Sequence, residues 1–324
     1  MRLALLSRNA SLYSTSRLVL AARARGHQVD VLDPLELQTV VAPATPSLHR
    51  AGLPLPSYDV VLPRIGASIT SYGVSIVRQF EQLGIPVVNG SVAIARTRDK
   101  VRTLAVLARH GVPVPRTVCT RSLAGLDTAL ELVGGCPAIV KLQHGTQGIG
   151  TMIAETPQAL HSLIETLWAM GQEIVLQQYI RESEGRDIRA LVISGRVIAA
   201  MRRQARPGEF RSNLHRGGTG DALTLPPRYR SCALKAAKLT GLEVAGVDLL
   251  ESHDGPVVVE INSSPGLEGI EQATGVDVAQ AIVVLAEQRV AAGAPSTARA
   301  PKRATARSAR RARPAPTRRR SRAR

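Results

Sequence analysis

The sequence predicts an α/β protein with a small N-terminal domain, a larger second domain and a basic tail. Its 324 residues leave room for about two or three domains. Hydrophobic residues make up 44% of the chain but aromatic residues only 2%, so the core must consist of Val, Leu, Ile and Ala, which suits buried strands covered by helices. Along residues 1–90, short apolar runs alternate with segments of helical period, which is typical of a small α/β unit.

The N-terminal elements are bounded by residues that end helices or strands, such as Gly26 after the first predicted helix. In chain order the predicted elements are a strand at Arg2–Leu6, a helix at Ser16–Arg25, a strand at Gln28–Leu32, a strand at Tyr58–Arg64, a helix at Tyr72–Leu83 and a strand at Ile85–Val88. No Gly-X-Gly-X-X-Gly motif follows the first strand, so the fingerprint of a dinucleotide-binding domain is absent.

A helix from about Ser91 to His110 is predicted to lead into the second domain. Strands follow at Ala138–Leu142 and Glu173–Gln178. A further strand at Asp187–Ile193 places Asp187 and Arg189 on one face. Two interpretations of that face remain open: a carboxylate that accepts hydrogen bonds from ribose hydroxyls, or a solvated pair of opposite charges.

The segment Val247–Asn262 predicts two apolar strands joined by a turn that starts at Ser252. A turn centred on Asp254 sets Asp248 directly opposite Glu260, and the two-residue period of a strand points Asn262 to the same face as Glu260. Two carboxylates and an amide oxygen then converge, and Mg²⁺ commonly takes one or two carboxylates plus substrate phosphates. The pattern indicates a magnesium-nucleotide site; a solvated acidic pair on an edge hairpin is the alternative.

A glycine-rich loop, residues 143–150, follows the strand that carries Lys141. Its three glycines let backbone amides approach phosphate oxygens, because glycine tolerates the positive φ angles that such a cradle needs. The Gly-Lys-Ser/Thr ending of a Walker motif is missing, whereas Lys141 would meet the phosphates from below the loop. Together with the hairpin, the loop indicates an ATP site; by itself it is also compatible with a plain hairpin turn.

The segment 202–218 is rich in arginine. Arg211 is a natural clamp for a transferring phosphoryl group or a carboxylate, because a guanidinium is always charged and binds oxyanions bidentately. Neither Ser nor Cys lies in an obvious arrangement with an activating His, so no covalent enzyme nucleophile is expected.

The net charge of +17 is concentrated at the C-terminal end. From Ala291 onward the chain holds twelve basic residues and no acidic one, which leaves +5 for residues 1–290. A segment of this composition cannot bury enough apolar surface to offset its conformational entropy, so the tail is predicted to be disordered. It could bind RNA or another polyanion without sequence preference, or be a tolerated low-complexity extension.

The apolar runs and the cysteines of the sequence indicate the cellular location of the protein. No apolar run approaches the 18 residues of a membrane span, and the N-terminal apolar run is too short for a secretory signal, so no membrane association is expected. The three cysteines are far apart and lack metal-ligand spacing, which favours reduced thiols. We therefore expect a cytoplasmic protein.

Taken in order, these features resemble the RimK family of ATP-grasp ligases, glutamate ligases that act on the C-terminus of small-subunit ribosomal protein number six. The resemblance rests on the order of Lys141, the glycine loop, Arg211 and the hairpin Val247–Asn262 with its predicted metal ligands. It also rests on long matching stretches. These stretches are residues 65–73, 91–96, 145–150, 210–218 and 262–271. It covers residues 1 to about 288 and leaves the arginine-rich tail out.

The resemblance implies an α+β ATP-grasp fold in three parts. A Rossmann-like pre-ATP-grasp domain would span residues 1–95, an ATP-grasp domain 96–290 and the disordered tail 291–324. Two subdomains, about 96–183 and 184–290, would form the ATP-grasp unit. A homo-oligomer, a tetramer in the family, is implied as well.

The implied activity is ATP-dependent ligation of L-glutamate to the C-terminal carboxylate of a ribosomal protein, through an acyl phosphate. Two alternatives stay open. One is an ATP-grasp ligase that couples glutamate to a small-molecule carboxylate, and the other is a ribosome- or RNA-binding module with vestigial catalysis. Arg8 and residues 64–72 are candidate acceptor contacts.

The resemblance also implies roles for individual residues. Those for ATP are Lys141 at the phosphates, Gln178 and Tyr179 at the adenine, Asp187, and the nucleotide-binding segment Arg211, Ser212 and Asn213. Those for metal are Asp248, Glu260 and Asn262, as ligands of two Mg²⁺ or Mn²⁺ ions, with Glu260 bridging. Lys141 and Arg211 would add positive charge during phosphoryl transfer. Gln178 stands where the family usually has Glu, and because backbone groups often read adenine at such a position, ATP use is expected to survive.

Overall fold

The computed structural model describes residues 1–43, 45–143, 150–212 and 217–293. Most of the predicted glycine loop, Asn213 and nearly all of the predicted basic tail lie outside these residues. The chain is a mixed α/β protein, as predicted. None of the described helices combines the length and apolar character that a membrane crossing requires.

The first part of the chain folds around a parallel sheet. Its elements are β1 (Arg2–Leu6), α1 (Tyr13–Ala24), β2 (Gln28–Leu32), β3 (Leu37–Val40), β4 (Ser47–Arg50), β5 (Leu53–Pro54), β6 (Val60–Pro63) and α2 (Thr70–Gln82). The central strand β1 pairs with β2 on one side and β6 on the other, so that Leu3 lies between Val29 and Val60. Strands β3, β4 and β5 form a separate small antiparallel sheet that was not predicted. The predicted bounds of β1 and β2 are confirmed.

Two predictions in this region are wrong. Residues 85–88 form only an isolated bridge between Val61 and Val87 instead of a full strand. The helix predicted from Ser91 to His110 is two helices, α3 (Ser91–Arg98) and α4 (Lys100–Arg109). The break occurs at Asp99, whose extended backbone lets its carboxylate accept a hydrogen bond from Arg102 N and so cap α4.

Two antiparallel sheets follow. The first has the order β7-β10-β8-β9 and consists of β7 (Thr117–Val118), β8 (Ala138–Leu142), β9 (Thr151–Ala154) and β10 (Ile174–Gln178), covered by α5 (Leu126–Leu132) and α6 (Pro157–Ala169). The second has the order β13-β12-β11-β14-β15 and consists of β11 (Arg186–Ile193), β12 (Arg196–Gln204), β13 (Thr219–Ala222), β14 (Val244–Ser252) and β15 (Gly255–Asn262), with α7 (Pro227–Thr240) packed on it. The helices α8 (Glu268–Thr274) and α9 (Val278–Ala291) come last.

The last helix returns to the first part of the chain. Leu18 and Ala22 on α1 are buried in one apolar cluster with Ile282 and Val283 on α9. The same cluster includes residues of β1, β6, β11, β12 and β14. The N-terminal sheet and the second antiparallel sheet therefore share a core, which holds the N-terminal part against the sheet that carries the predicted metal ligands.

A charged contact between the C-terminal end of α1 and the helix α9 predicts that the stability of the fold depends on pH. Glu287 on α9 accepts two hydrogen bonds of 2.8 Å from Arg25 and lies 2.6 Å from His27 Nε2. The Arg25 hydrogen bond, together with that of His27, lowers the pKa of Glu287 to about 2. A carboxylate with a depressed folded-state pKa stabilises the fold above its unfolded pKa, and this contribution is lost as the pH falls from about 5 to 2.

We therefore expect Glu287→Gln to lower Tm by about 1–3 °C near neutral pH, since the pair is partly screened by solvent. The difference from the unsubstituted protein should shrink as the pH falls from about 5 to 2. Thermal unfolding followed by circular dichroism across this range measures it. Glu165→Gln on the exposed face of α6 serves as the control. A difference in Tm that does not change with pH would contradict the role of the ionised carboxylate.

Candidate active site

The hairpin of β14 and β15 brings the predicted metal ligands together. Asp248 pairs with Glu260, as predicted, but Ser252 pairs with Gly255 and leaves a shorter turn than expected. In a regular ladder that turn would set Asp248 opposite Val259. A β-bulge beside Asp248 adds one residue to β15 and restores the predicted pair. Because a shift of one residue reverses the face of a side chain, the bulge points Glu260 into the same cavity as Asp248.

Asp248 is buried and fully engaged by neighbouring side chains. Arg189 donates two hydrogen bonds to its carboxylate, at 2.7 and 2.6 Å, and Arg203 Nη2 lies 3.2 Å from Oδ1. Asn262 Nδ2 approaches Oδ2 at 3.4 Å. Burial opposes ionisation, but Arg189 and Arg203 outweigh it and hold the pKa of Asp248 below its usual range. The residue is therefore an ionised carboxylate, and two arginines already balance its charge.

Asp187 forms a second buried ion pair on the next strand. Arg203 lies opposite Asp187 across β11 and β12 and donates two hydrogen bonds to it, one of them at 2.6 Å. Burial disfavours the charge of Arg203, yet Asp248 and Asp187 raise its pKa overall. An ion pair was one of the predicted alternatives for Asp187, but the pair is buried and its partner is Arg203, not Arg189.

Glu260 differs from the two aspartates. It is partly buried, and among the described residues no hydrogen bond or ion pair reaches its carboxylate. Lys100, Lys141 and Arg98 surround it: burial lowers the pKa of each of these cations, and the charge of Glu260 partly offsets this effect. Because the carboxylate of Glu260 has no direct partner in the described chain, its oxygens are available to a metal ion.

Lys100 was not singled out from the sequence. It begins α4 directly after the break at Asp99, and its Nζ donates to the carbonyl of Gln143 at 3.2 Å, where the glycine loop starts. A continuous helix through residue 110, as predicted, would have hidden this role. The signal that could have found it is the Asp-Lys dipeptide, because aspartate is a preferred residue for starting a helix.

A first cavity gathers most of the predicted nucleotide residues. It has a volume of about 150 Å³. The predicted residues that line it are Lys141, Gln178, Tyr179, Asp187, Arg211, Ser212, Asp248 and Glu260. Apolar side chains, among them Ile139, Leu142 and Leu250, complete its wall. The cavity therefore combines an apolar surface suited to a base with cations suited to phosphates.

Gln178 lies at the end of β10, beside the chain that leads into β7. Its N–H donates to the carbonyl of Arg116 at 2.8 Å, and its side-chain Oε1 accepts from Arg116 N at 3.2 Å. The amide side chain is thus engaged with the backbone. This arrangement favours contact between a base and backbone groups over contact with the Gln178 side chain.

Arg211 is held at the edge of the first cavity. Glu209 accepts hydrogen bonds from its Nε at 2.9 Å and from its Nη2 at 2.7 Å. The guanidinium also lies 5.2 Å from the ring centre of Phe210 and 3.5 Å from the carbonyl of Thr151. The sequence offered no signal for the bond to Glu209, which fixes the direction of the guanidinium.

A second cavity, of about 760 Å³, lies between the hairpin and the N-terminal part. Asp248 and Glu260 line both cavities, whereas Asn262 lines only the second. In the described parts of the chain, no three His, Cys, Asp or Glu side chains cluster as a metal site. Two carboxylates and one amide oxygen nevertheless suit Mg²⁺, which commonly completes its shell with substrate phosphates and water.

Comparisons with known proteins agree on a single family. A family model described as the RimK pre-ATP-grasp domain matches residues 1–94, and the RimK-like ATP-grasp domain matches residues 97–285. A probable alpha-L-glutamate ligase of Aeromonas salmonicida (strain A449) is 53% identical over 287 residues, which cover 89% of this chain and 96% of the relative. Probable alpha-L-glutamate ligase 2 of Shewanella frigidimarina (strain NCIMB 400) is 52% identical over 288 residues, covering 89% and 97%.

Solved structures show the same fold at low identity. The ATP-grasp ligase PsnB, complexed with minimal precursor, Mg and ADP, has a TM-score of 0.69 at 22% identity, with 90% of this chain and 98% of that chain covered. The D-cycloserine synthetase DcsG has a TM-score of 0.70 at 21% identity, with 90% and 100% covered. Both comparisons support an ATP-grasp fold.

Proposed function

This chain belongs to the RimK family of ATP-grasp ligases, and from that premise we propose that it adds L-glutamate to the C-terminal carboxylate of a ribosomal protein, using ATP and an acyl phosphate intermediate. The observation that carries the proposal is the position of Glu260. Its carboxylate lies between the two cavities and among cations, where a metal-bound γ-phosphate and a substrate carboxylate would meet.

The chemistry explains why two cavities are needed. A carboxylate does not react with an amine at neutral pH, because its oxygen is a poor leaving group. The carboxylate oxygen of the acceptor first attacks the γ-phosphorus of ATP, and ADP leaves. The amino group of glutamate then attacks the acyl carbon, loses a proton and expels inorganic phosphate, so that an amide forms. The first cavity would hold ATP and the second the acceptor and glutamate.

Different residues of this chain would contact the phosphates, the metal ions and the rest of the nucleotide. Lys100, Lys141 and Arg211 place positive charge where the phosphates would lie, which stabilises the charge that develops during phosphoryl transfer. Asp248, Glu260 and Asn262 would hold two Mg²⁺ or Mn²⁺ ions, with Glu260 shared. Such ions, when bound, neutralise the β- and γ-phosphates. Gln178, Tyr179, Asp187, Ser212 and Asn213 would contact the rest of the nucleotide.

A direct test uses the purified full-length protein with ATP, Mg²⁺, L-glutamate and a ribosomal extract. We expect mass spectrometry to find a ribosomal protein heavier by glutamyl units, and only when ATP is present. If instead a small-molecule carboxylate gains glutamate and no protein does, the proposed acceptor is wrong, while the ligase activity stands.

Domain boundaries near residues 95 and 290, a homotetramer, a cytoplasmic location and RNA or ribosome contact through the tail remain predictions from the sequence and its family. The helix α9 ends at Ala291, so a chain cut after Gly293 keeps every described element.

We expect the chain cut after Gly293 to ligate a peptide acceptor with a kcat/KM within about twofold of the full chain, but to lose affinity for RNA. Removing twelve positive charges should also flatten the salt dependence of RNA binding. Ligation assays and RNA titrations at several salt concentrations measure both. Loss of ligation on a peptide acceptor would show that the tail belongs to the catalytic unit.

A further inference from the structure

The second cavity contains two arginines, Arg64 and Arg98, that have no role in the proposed reaction. Arg64 follows β6, and Arg98 is the last residue of α3; both line the cavity of about 760 Å³. Burial, with a further contribution from Arg98, lowers the pKa of Arg64 to about 10, and burial also lowers the pKa of Arg98. Two like charges are thus held near each other in a partly desolvated place, and the charge of Glu260 offsets only part of the cost for Arg98, so a further negative group would stabilise the pair.

The other arginines of the cavity are paired, whereas these two are not. Arg189 and Arg203 both contact the carboxylate of Asp248. Within the described chain, no carboxylate lies at ion-pair distance from Arg64 or Arg98. Glu260 acts on Arg98 only at a longer range than an ion pair, so both guanidinium groups can still pair with a molecule in the cavity.

Backbone contacts hold both guanidinium groups in place. Arg64 Nη2 donates to the carbonyl of Pro265 at 2.8 Å, and Arg98 Nη2 donates to the carbonyl of Ile65. Each contact uses one N–H of a group that has five, so most donors remain. Arg98 Nε and Ser264 Oγ are also buried without a hydrogen-bond partner. A buried donor without a partner is unfavourable, and a ligand that accepts from it removes this cost.

We propose that Arg64, Arg98 and Ser264 form a binding site for a substrate carboxylate that does not react. A carboxylate supplies two oxygens that match the fork of a guanidinium, and its charge would offset that of the arginine pair. The site lies away from the phosphates, because Lys141 lines only the first cavity and these three residues line only the second. It therefore positions a substrate and leaves phosphoryl transfer to the residues of the first cavity.

This site rests on the proposed function and adds to it a group of residues that binds one of the substrates. Both substrates of that reaction can carry a carboxylate that does not react: the incoming glutamate has two, and a protein acceptor can have an acidic side chain near its C-terminus. The shared chemistry is an aliphatic carboxylate. Kinetics with each substrate varied in turn distinguish the two sources.

The test compares Arg64→Met, Arg98→Met and their Lys counterparts with the full-length protein. Arg102→Met, an exposed arginine on α4, is the matched control. We expect KM to rise about 10- to 100-fold for one substrate, glutamate or acceptor, with Mg-ATP affinity and Tm close to those of the control. The Lys variants should recover part of the loss, because they keep the charge but not the fork. The substrate whose KM rises is the one that the site holds.

Two results would overturn the site: unchanged KM for both substrates, or a loss that a weaker affinity for Mg-ATP fully explains. A calorimetric titration separates this proposal from the proposed function. L-glutamate, glutarate and an acidic acceptor peptide are titrated into the full-length protein loaded with Mg²⁺ and a non-hydrolysable ATP analogue. Binding that Arg64→Met abolishes, in a protein that ligates no glutamate, would keep the site and reject the proposed function. Binding that Arg64→Met leaves unchanged would reject the site, whatever the protein ligates.

Discussion

Replacing Glu260 by alanine should reduce the kcat of ATP-dependent ligation on the order of 10³-fold or more, while leaving the protein folded. The variant lacks one of the two carboxylates that line both cavities, and with it the proposed bridging ligand of two metal ions. The fold should survive because no described hydrogen bond or ion pair ends on that carboxylate. Lys100 and Lys141 would remain to hold the phosphates, so the loss should fall more on turnover and metal affinity than on nucleotide binding.

Three measurements separate these effects: ligation by mass spectrometry, Mn²⁺ affinity in the presence of ATP, and thermal unfolding. Glu251→Ala is the matched control on the same hairpin, since Glu251 pairs with the exposed Arg202 and lines neither cavity. Glu260→Gln adds a variant of equal size without the charge. Turnover within about tenfold of the unsubstituted protein would refute the bridging role.

The sequence predicted the pairing of Asp248 with Glu260 but not the bulge that produces it. The two-residue period of strands places acidic residues on a common face, and a turn near Asp254 sets the approximate register. A bulge depends on the competition between ladder hydrogen bonds and side-chain packing, which one sequence does not reveal. The predicted pair is therefore correct, although the turn is shorter than predicted.

Contacts between strands that are far apart in the sequence were harder to predict than local pairing. In the sequence Arg203 is only one of several arginines in a basic segment, yet in the structure it joins Asp187 and Asp248 in one buried network. Its role depends on β12 pairing with β11, and on β11 pairing with β14, which strand periodicity alone does not specify. Lys100 was missed for a local reason, because the apolar period of α3 and α4 continues through the break at Asp99.

The same network makes Arg203→Met the substitution with the largest expected effect on stability. The side chain of Arg203 is 5% exposed, and those of Asp187 and Asp248 are 11% and 6% exposed. Its removal would leave Asp187 as an uncompensated buried charge and Asp248 with Arg189 alone. Breaking a buried pair by removing one partner costs about 3–5 kcal/mol, so we expect a loss of this size in the free energy of unfolding.

Urea denaturation in the absence of nucleotide measures this loss of stability. Two further variants identify its cause. Arg202→Met alters the adjacent residue of the same strand, whose ion pair with Glu251 is exposed, and should cost less than about 1 kcal/mol. The double variant Arg203→Met with Asp187→Leu replaces the buried pair with apolar groups and should recover most of the stability, because the unpaired charge is removed with its partner. If the double variant is no more stable than Arg203→Met, the loss comes from packing around the arginine stem. Recovery would mean instead that Arg203 serves chiefly to neutralise Asp187 and Asp248, the two buried carboxylates of the candidate site.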